Sequence, residues 1–512
     1  MIHHLIRLLY SGEARRFQKA LVHPEKTQRE VLKKILLQTA ATSHGQTLGI
    51  KDDDNYQTFI QKCAVTVYED WKETIESQKE SGTLTLSPAV IRYEPTSGSL
   101  SKRKWIPYSP LFLQEINRAA QTWVHDLYRN FPKIRAGMHF WSLSWIPAEL
   151  RGMIQTDDSE LFPAYQRFFL NRFIARHPAI QFAPTAESAW WATKVYLASL
   201  HDLSFISIWS PSYLLSAIEE LFSARDQVAV VFESRSWVQF QKELKRFEVP
   251  KRDVREFRKI RSSRTLEEFA HLLWPKLSLV SCWDAASSHE LANDLRAVLA
   301  RSVSIQSKGL WATEGVITFP WRGTHPLSVR SHFYEFRCLQ TGDIFPSWEL
   351  KLGQELQPIV TAGNGILRYA LPDRVFVKGF AEKTPLLDFV GRIGSIDLVG
   401  EKLSFADADL ILAELRAEFK NIHFYCLTAG FVQKHGQYQV LIIGDPLQAQ
   451  AIAKRCEEKL ILFHHYSVAR ELNQMHQAGC KIFKNHGELS HYVEKSQVKG
   501  QNKLNSIMRI NS

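Results

Sequence analysis

Apolar residues recur at helical spacing near the start of the chain. The run TQREVLKKILLQTA, Thr27 to Ala40, puts Val31, Leu32, Ile35 and Leu36 on one face of a predicted helix. LFLQEINRAAQTWVHDLY, Leu111 to Tyr128, predicts a second helix of the same kind. In FISIWSPSYLLSAIEELF a β-rich run, Phe205 to Trp209, meets Ser210-Pro211-Ser212 and then a periodic apolar segment, with proline where a helix can start. LWPKLSLVSCWDAASSHELANDLRAVLA repeats that unit: a strand over Leu277 to Cys282, a loop of small residues, and a helix from about His289. Strands alternating with helices predict an α/β fold with a largely parallel sheet.

The segment between these units, FQKELKRFEVPKRDVREFRKIRSSRTLEEF, interleaves Lys and Arg with Glu and Asp, as a solvated helical connector does. From Trp348 the pattern turns to alternation, in WELKLGQELQPIVTAGNGILRYAL and RVFVKGF, which predicts half-buried antiparallel strands. Past Gly391-Arg392 the order is helix (DADLILAELRAEF), strand (HFYCLTAGFV), strand (YQVLIIGD) and helix (AQAIAKRCEEKL), which suits a small α+β domain. The expected organisation is a large N-terminal domain over 1–391, with parallel and mixed sheets and a β-rich part, and a small mobile C-terminal domain over 392–512. No repeat or low-complexity tether separates them, so the boundary reads as a tight hinge.

Composition changes this picture little. The chain has 512 residues, 45% of them hydrophobic and 12% aromatic, enough to bury more than one core. Its net charge of +11 comes from 64 basic against 53 acidic residues spread without a long block, and with no recognition motif a nucleic-acid partner is not expected. The six cysteines have no C-x-x-C spacing and read as reduced thiols of a cytoplasmic protein with no zinc site. Arg7 interrupts the apolar N-terminal stretch, and no run reaches the ~18 apolar residues of a membrane span. A soluble monomer or weak homodimer is expected.

One stretch suggests chemistry. In YEPTSGSLSKRKWIPYS, Tyr93 to Ser109, a turn of Thr96-Ser97-Gly98-Ser99 can direct N–H groups and hydroxyls into one concavity, with Lys104 as a nearby cation. A phosphate would suit it; so would a plain surface hairpin of the same residue types. The G-x-x-x-x-G-K-[ST] nucleotide loop is not matched.

The loop resembles the phosphate-binding motif of the acyl-adenylate-forming superfamily of luciferase, acyl-CoA ligases and nonribosomal-peptide adenylation domains. More closely, TSGSLSKRKWIPY, with Ile106-Pro107 after the lysine, is similar to the form in the auxin-responsive acyl-acid amido synthetases. IWSPSYLLSAIEEL, LWPKLSLVSCWDAAS, LWATEGVITFP, FYEF, ILRYALPDRVFVKGF, DFVGRIGSIDLVGEKL and GQNK follow in that family's order. By this resemblance Trp311 would stack on adenine, Thr313 would meet the α-phosphate and Glu314 would ligate Mg²⁺. Asp373 would accept the ribose hydroxyls, Arg392 would be the hinge, and Lys402 and Lys503 would reach phosphate oxygens and the reacting carboxylate. Glu335, in FYEF, is either a nucleotide-site residue or half of a structural ion pair, because a buried acid between aromatic residues needs a partner.

The sequence departs from the family at Leu100-Ser101-Lys102, at Ala370 and Pro372, and at Leu504-Asn505. The activity implied is that of an ATP- and Mg²⁺-dependent ligase. It would adenylate a small carboxylic acid, release pyrophosphate, and pass the acyl group to an amino acid or other amine with loss of AMP. Thioester formation with a thiol acceptor and a catalytically weakened nucleotide-binding protein are the alternatives. MHFWSLSW and SAWWATKVYL suggest an aromatic-lined acid pocket or a well-packed core.

Overall fold

Five short strands make a parallel sheet in the spatial order Ile174–Ala175, Met138–Trp141, Leu203–Ser207, Leu279–Cys282, Ser304–Ser307, and Leu203–Ser207 and Leu279–Cys282 are buried on both sides. The computed structural model describes residues 2–95, 104–142, 145, 173–285, 288–401, 403–419, 422–444, 446–484, 488–489, 492 and 507–509. Neighbouring residues along each strand face opposite ways. Phe205 and Leu279 enter one core with Phe112, Trp123 and Leu127 of the helix Pro110–Asn130. Ile206, Val280 and Cys282 enter another with the helices Ala186–Ser199 and Pro211–Ser223. Each such side chain contributes about 1.5–3 kcal/mol when fully buried, so both faces hold the sheet in place.

The helix Pro110–Asn130 starts where its cap dictates. Ser109 Oγ accepts the Phe112 N–H at 3.1 Å, and proline occupies the first turn. The helix expected over Thr27 to Ala40 begins earlier, at Pro24, and buries Val31, Leu32, Ile35 and Leu36. The strand expected over Phe205 to Trp209 lies at Leu203–Ser207, because Trp209 is 47% exposed and the next helix starts at Pro211. The charged connector folds into short helices, of which Val254–Arg261 is capped by Asp253 and buries Phe257 and Ile260.

The β-rich part is a six-stranded sheet in which Phe333–Cys338 lies between Ile344–Pro346 and Glu355–Thr361, both antiparallel to it. Asp373–Ala381 and Thr384–Arg392 continue that sheet. It therefore begins before Trp348: Phe333 to Phe336 are all buried, so that strand shows no alternation. The chain folds as two compact units, Met1–Glu94 with Trp105–Val390, and Pro95–Lys104 with Gly391–Ser512. Among the described residues no helix is long and apolar enough to cross a membrane.

The second unit has the helix Phe405–Glu418, the hairpin His423–Val432 and His435–Ile443, and the helix Ala449–Leu460, in the expected order. Gly479–Phe483 and Ile507–Arg509 add parallel strands at the two sides of the hairpin. Glu401 organises its first loop, accepting the N–H groups of Leu398 and Val399, each at 2.8 Å, and the Tyr438 hydroxyl at 2.5 Å. Burial pushes its carboxyl up from 4.5 to about 7; Asp397 adds to the rise, and the Tyr438 hydroxyl opposes it. A carboxyl raised in the folded state contributes stability that is full below its ordinary value near 4.5 and is lost as pH rises through about 7. Calorimetry of wild type and Glu401→Gln tests this. The wild-type melting temperature should fall about 2–4 °C relative to the variant between pH 5 and pH 8, and parallel pH profiles would contradict it.

Candidate active site

Trp311–Ala312 pairs antiparallel with Gly315–Val316, which leaves Thr313 and Glu314 as the two-residue turn of a tight hairpin. Leu310 N–H donates to Thr318 Oγ1 at 2.9 Å, and the Tyr108 hydroxyl donates to the Thr313 carbonyl at 3.1 Å. Behind the turn, a Cβ on Gly315 would lie 3.0 Å from the buried His332 ring, and its φ of 156° is one that side chains rarely adopt, so glycine suits this approach. His332 is held in turn by Glu115, whose Oε2 lies 2.8 Å from Nδ1 and also accepts Gly363 N–H at 2.9 Å. Since a carboxylate oxygen accepts, the hydrogen of that contact sits on Nδ1. Helix, sheet and hairpin are thus joined through one buried carboxylate.

Glu335 and Arg368 form a second buried junction. Arg368 Nε and Nη2 donate to the two carboxylate oxygens of Glu335 at 2.8 Å each, and Nη1 donates to the Cys63 carbonyl at 2.7 Å. The Tyr56 hydroxyl donates to Glu335 Oε1 at 3.1 Å. Both oxygens are engaged and the residue is 1% exposed, so Glu335 is one half of a buried ion pair. Arg368 adopts a left-handed φ of 48°, a strained position for a side chain of this size. It is over-determined by the ion pair and by its own N–H, which donates to Thr361 Oγ1 at 2.9 Å.

This junction fixes the segment that follows. Thr66 N–H donates to the Arg368 carbonyl at 3.0 Å and Ala370 N–H to the Thr66 carbonyl at 2.9 Å, bracketing Tyr369. Burial pushes the Tyr369 phenol up, and the charges of Glu314, Glu69, Tyr68 and Asp373 push it further. Tyr68 also feels Glu314 after burial, and its hydroxyl accepts Trp105 N–H at 2.7 Å. Lys104, half-buried, immediately precedes the strand Trp105–Tyr108.

The sequence matches the models of the GH3 family N-terminal domain over residues 13–303 and the GH3 family central domain over residues 325–392. The chain belongs to the GH3 family. Among solved structures it is similar to the acyl acid amido synthetase AtGH3.15 in complex with 2,4-DB, with a TM-score of 0.65 at 16% identity, covering 97% of this chain and 93% of that one. A second structure titled GH3.15 acyl acid amido synthetase gives 0.61 at 16% identity, covering 96% and 92%. A 2-hydroxyisobutyryl-CoA ligase in complex with 2-HIB-AMP and CoA gives 0.52 at 10% identity, covering 98% and 91%. At these identities the likeness is one of fold, that of the acyl-adenylate-forming enzymes. No curated protein matches.

Of the residues singled out in this GH3 chain, Trp311, Thr313 and Glu314 share the hairpin, and Asp373, 1% exposed, begins the strand Asp373–Ala381. Arg392 ends the strand Thr384–Arg392. Thr96, Ser97, Gly98, Ser99, Lys402 and Lys503 lie outside the described residues. Sequence reasoning missed Glu115, although it falls on the buried stripe between Phe112 and Ala119, where a carboxylate signals a partner.

It also missed Lys308. This residue follows the strand Ser304–Ser307 at the carboxyl edge of the parallel sheet and is 5% exposed. Its Nζ donates to Ser207 Oγ at 2.7 Å and lies 5.0 Å from the Trp123 ring centre and 5.1 Å from that of Trp209. Trp311 Nε1 donates to the Lys308 carbonyl at 2.9 Å, and the Trp311 ring is 6.1 Å from Trp123. Burial brings the ammonium down to about 7, opposed by the Cys282 thiol. Trp141, from MHFWSLSW, joins this aromatic cluster at 5.8 Å from Trp123. Trp190 and Trp191, from SAWWATKVYL, pack in the core on the other face of the sheet.

The Glu335–Arg368 pair is expected to be the costliest of these contacts to break, because either half left alone is a buried unpaired charge. In urea unfolding Glu335→Ala and Arg368→Met should each lose about 3–5 kcal/mol, and the double variant less than their sum. Full additivity, or a loss under about 1 kcal/mol, would mean the pair does not hold this region.

Proposed function

We propose that this GH3 member is an ATP-dependent acyl acid amido synthetase. The observation that carries the reading is the tight hairpin in which Trp311–Ala312 pairs with Gly315–Val316, which puts an aromatic ring, the Thr313 hydroxyl and the Glu314 carboxylate on one short element. The family and the activity named for AtGH3.15 support the same reading.

In the first half-reaction a carboxylate oxygen of the acid attacks the α-phosphorus of ATP and pyrophosphate leaves, giving an acyl-adenylate. Trp311 offers an aromatic surface to adenine, Asp373 accepts ribose hydroxyls, and Thr313 meets the α-phosphate. The loop Thr96 to Ser99 with Lys104 holds the departing phosphates. The chemistry of the hairpin tip suits Mg²⁺, an ion often bound through one or two carboxylates plus substrate phosphates, because Glu314 offers one carboxylate there. Glu314 would hold it, and it would neutralise charge developing on the phosphates. In the second half-reaction an amine attacks the activated carbonyl and AMP leaves with the transferred oxygen. Lys503 stabilises the charge of the pentavalent transition state, Lys402 reaches phosphate oxygens, and Arg392 is the hinge between the two steps.

Incubation with Mg·ATP, a panel of carboxylic acids and mixed amino acids should give acid-dependent pyrophosphate together with a new amide. A thioester formed only with coenzyme A would replace the amine by a thiol, and no release with any acid would sink the synthetase. Glu314→Gln should lower the rate of pyrophosphate release about 100-fold or more; an unchanged rate would remove Glu314 from the metal site.

A further inference from the structure

Parallel register aligns a polar row across the carboxyl edge of the five-stranded sheet. Trp141, Ser207 and Ser281 are paired in register across neighbouring strands, so their side chains share a face, the one covered by Trp123 of the helix Pro110–Asn130. This row holds more donors than acceptors. Ser281 is fully buried, and among the described residues its hydroxyl has no hydrogen-bond partner; nor, among them, has the buried indole N–H of Trp141. Lys308 brings an ammonium group to Ser207, and among the described residues it forms no ion pair with a carboxylate. The faces of Trp123 and Trp209 compensate part of that charge. A buried cation beside two unmet donors lacks an anion with several acceptor atoms, and a carboxylate has that composition.

We propose that Lys308, with Ser207, Ser281 and Trp141, forms a subsite for a second carboxylate on the acyl donor, so that the acid activated by this enzyme is a dicarboxylic acid. This rests on the amido synthetase reading. The reacting carboxylate has to reach the α-phosphate at the Thr313–Glu314 turn. That turn lies beyond Trp311, whose indole is fixed on the Lys308 carbonyl. An anion on Lys308 is therefore a different group of the same molecule. Lys308 is a specificity residue here and takes no part in bond making.

Matched pairs of acids, benzoate with terephthalate and hexanoate with adipate, separate the possibilities when titrated against the tryptophan fluorescence of the full chain without ATP. Pyrophosphate release is followed with the same acids. Wild type should bind at least one dicarboxylate about 10- to 100-fold more tightly than its monocarboxylate partner, the worth of a buried charge-assisted contact. Lys308→Met should abolish that preference, and Ser281→Ala should reduce it about threefold. Replacing a buried lysine that has no carboxylate partner among the described residues with an apolar side chain of similar length should leave the melting temperature unchanged or higher. Should Lys308→Met fail to fold, Ser281→Ala carries the test. Equal affinity for both members of every pair overturns the proposal, as does a preference that survives Lys308→Met. Dicarboxylate-selective binding without pyrophosphate release from any acid would keep the subsite and reject the synthetase. Release from monocarboxylates with no preference would do the reverse.

Discussion

The buried pairing of Glu335 with Arg368 is the contact on which the described part of the site depends. Glu335 sits on the strand Phe333–Cys338, between two antiparallel partners, and Arg368 sits on the turn leading to Tyr369 and Asp373. Two charges taken out of water cost several kcal/mol each unless they are paired with good geometry. Here the fork of the guanidinium meets both carboxylate oxygens and a backbone carbonyl, and Tyr56 adds a donor. The arrangement tolerates one solution, and that solution fixes where the chain leaves the sheet toward Asp373. A hydrophobic pair in the same place would pack as well but would not fix the direction of the Arg368 backbone, which is held in a left-handed conformation.

The His332–Glu115 contact does for the other half of the site what that ion pair does for the first. It ties the helix Pro110–Asn130 to the loop at Gly363 and to the ring that backs Gly315. The Thr313–Glu314 turn therefore rests on a rigid support, while its own side chains stay at the tip of the hairpin. Sites placed on such frames hold their geometry better than sites carried on free loops. Lys308 belongs to the same frame from the side of the parallel sheet, where strands end and polar side chains can face a ligand.

Much of this was legible in the sequence, for physical reasons. Val31, Leu32, Ile35 and Leu36 gave a helix because one face of that segment is buried and the other wet. The parallel sheet followed from strand and helix alternating around Pro211 and His289. Thr313, Glu314 and Asp373 stand on a resemblance of motifs; their spacing alone does not join them. What escaped was tertiary. Phe333 to Phe336 do not alternate, so the start of the six-stranded sheet was missed, and the partner of Glu335 lies 33 residues away. Glu115 and Lys308 become informative only when the fold shows what surrounds them. The loop Thr96 to Ser99, Lys402 and Lys503 stand on the resemblance.

In the proposed synthetase reaction an oxygen of the acid becomes bonded to the α-phosphorus of ATP before any amide forms. Turnover of a carboxyl-¹⁸O-labelled acid with Mg·ATP and an amino acid, followed by mass spectrometry of the nucleotide, tests this directly. AMP should carry one labelled oxygen for each amide made. Unlabelled AMP, or label in inorganic phosphate with ADP as the nucleotide product, would contradict it.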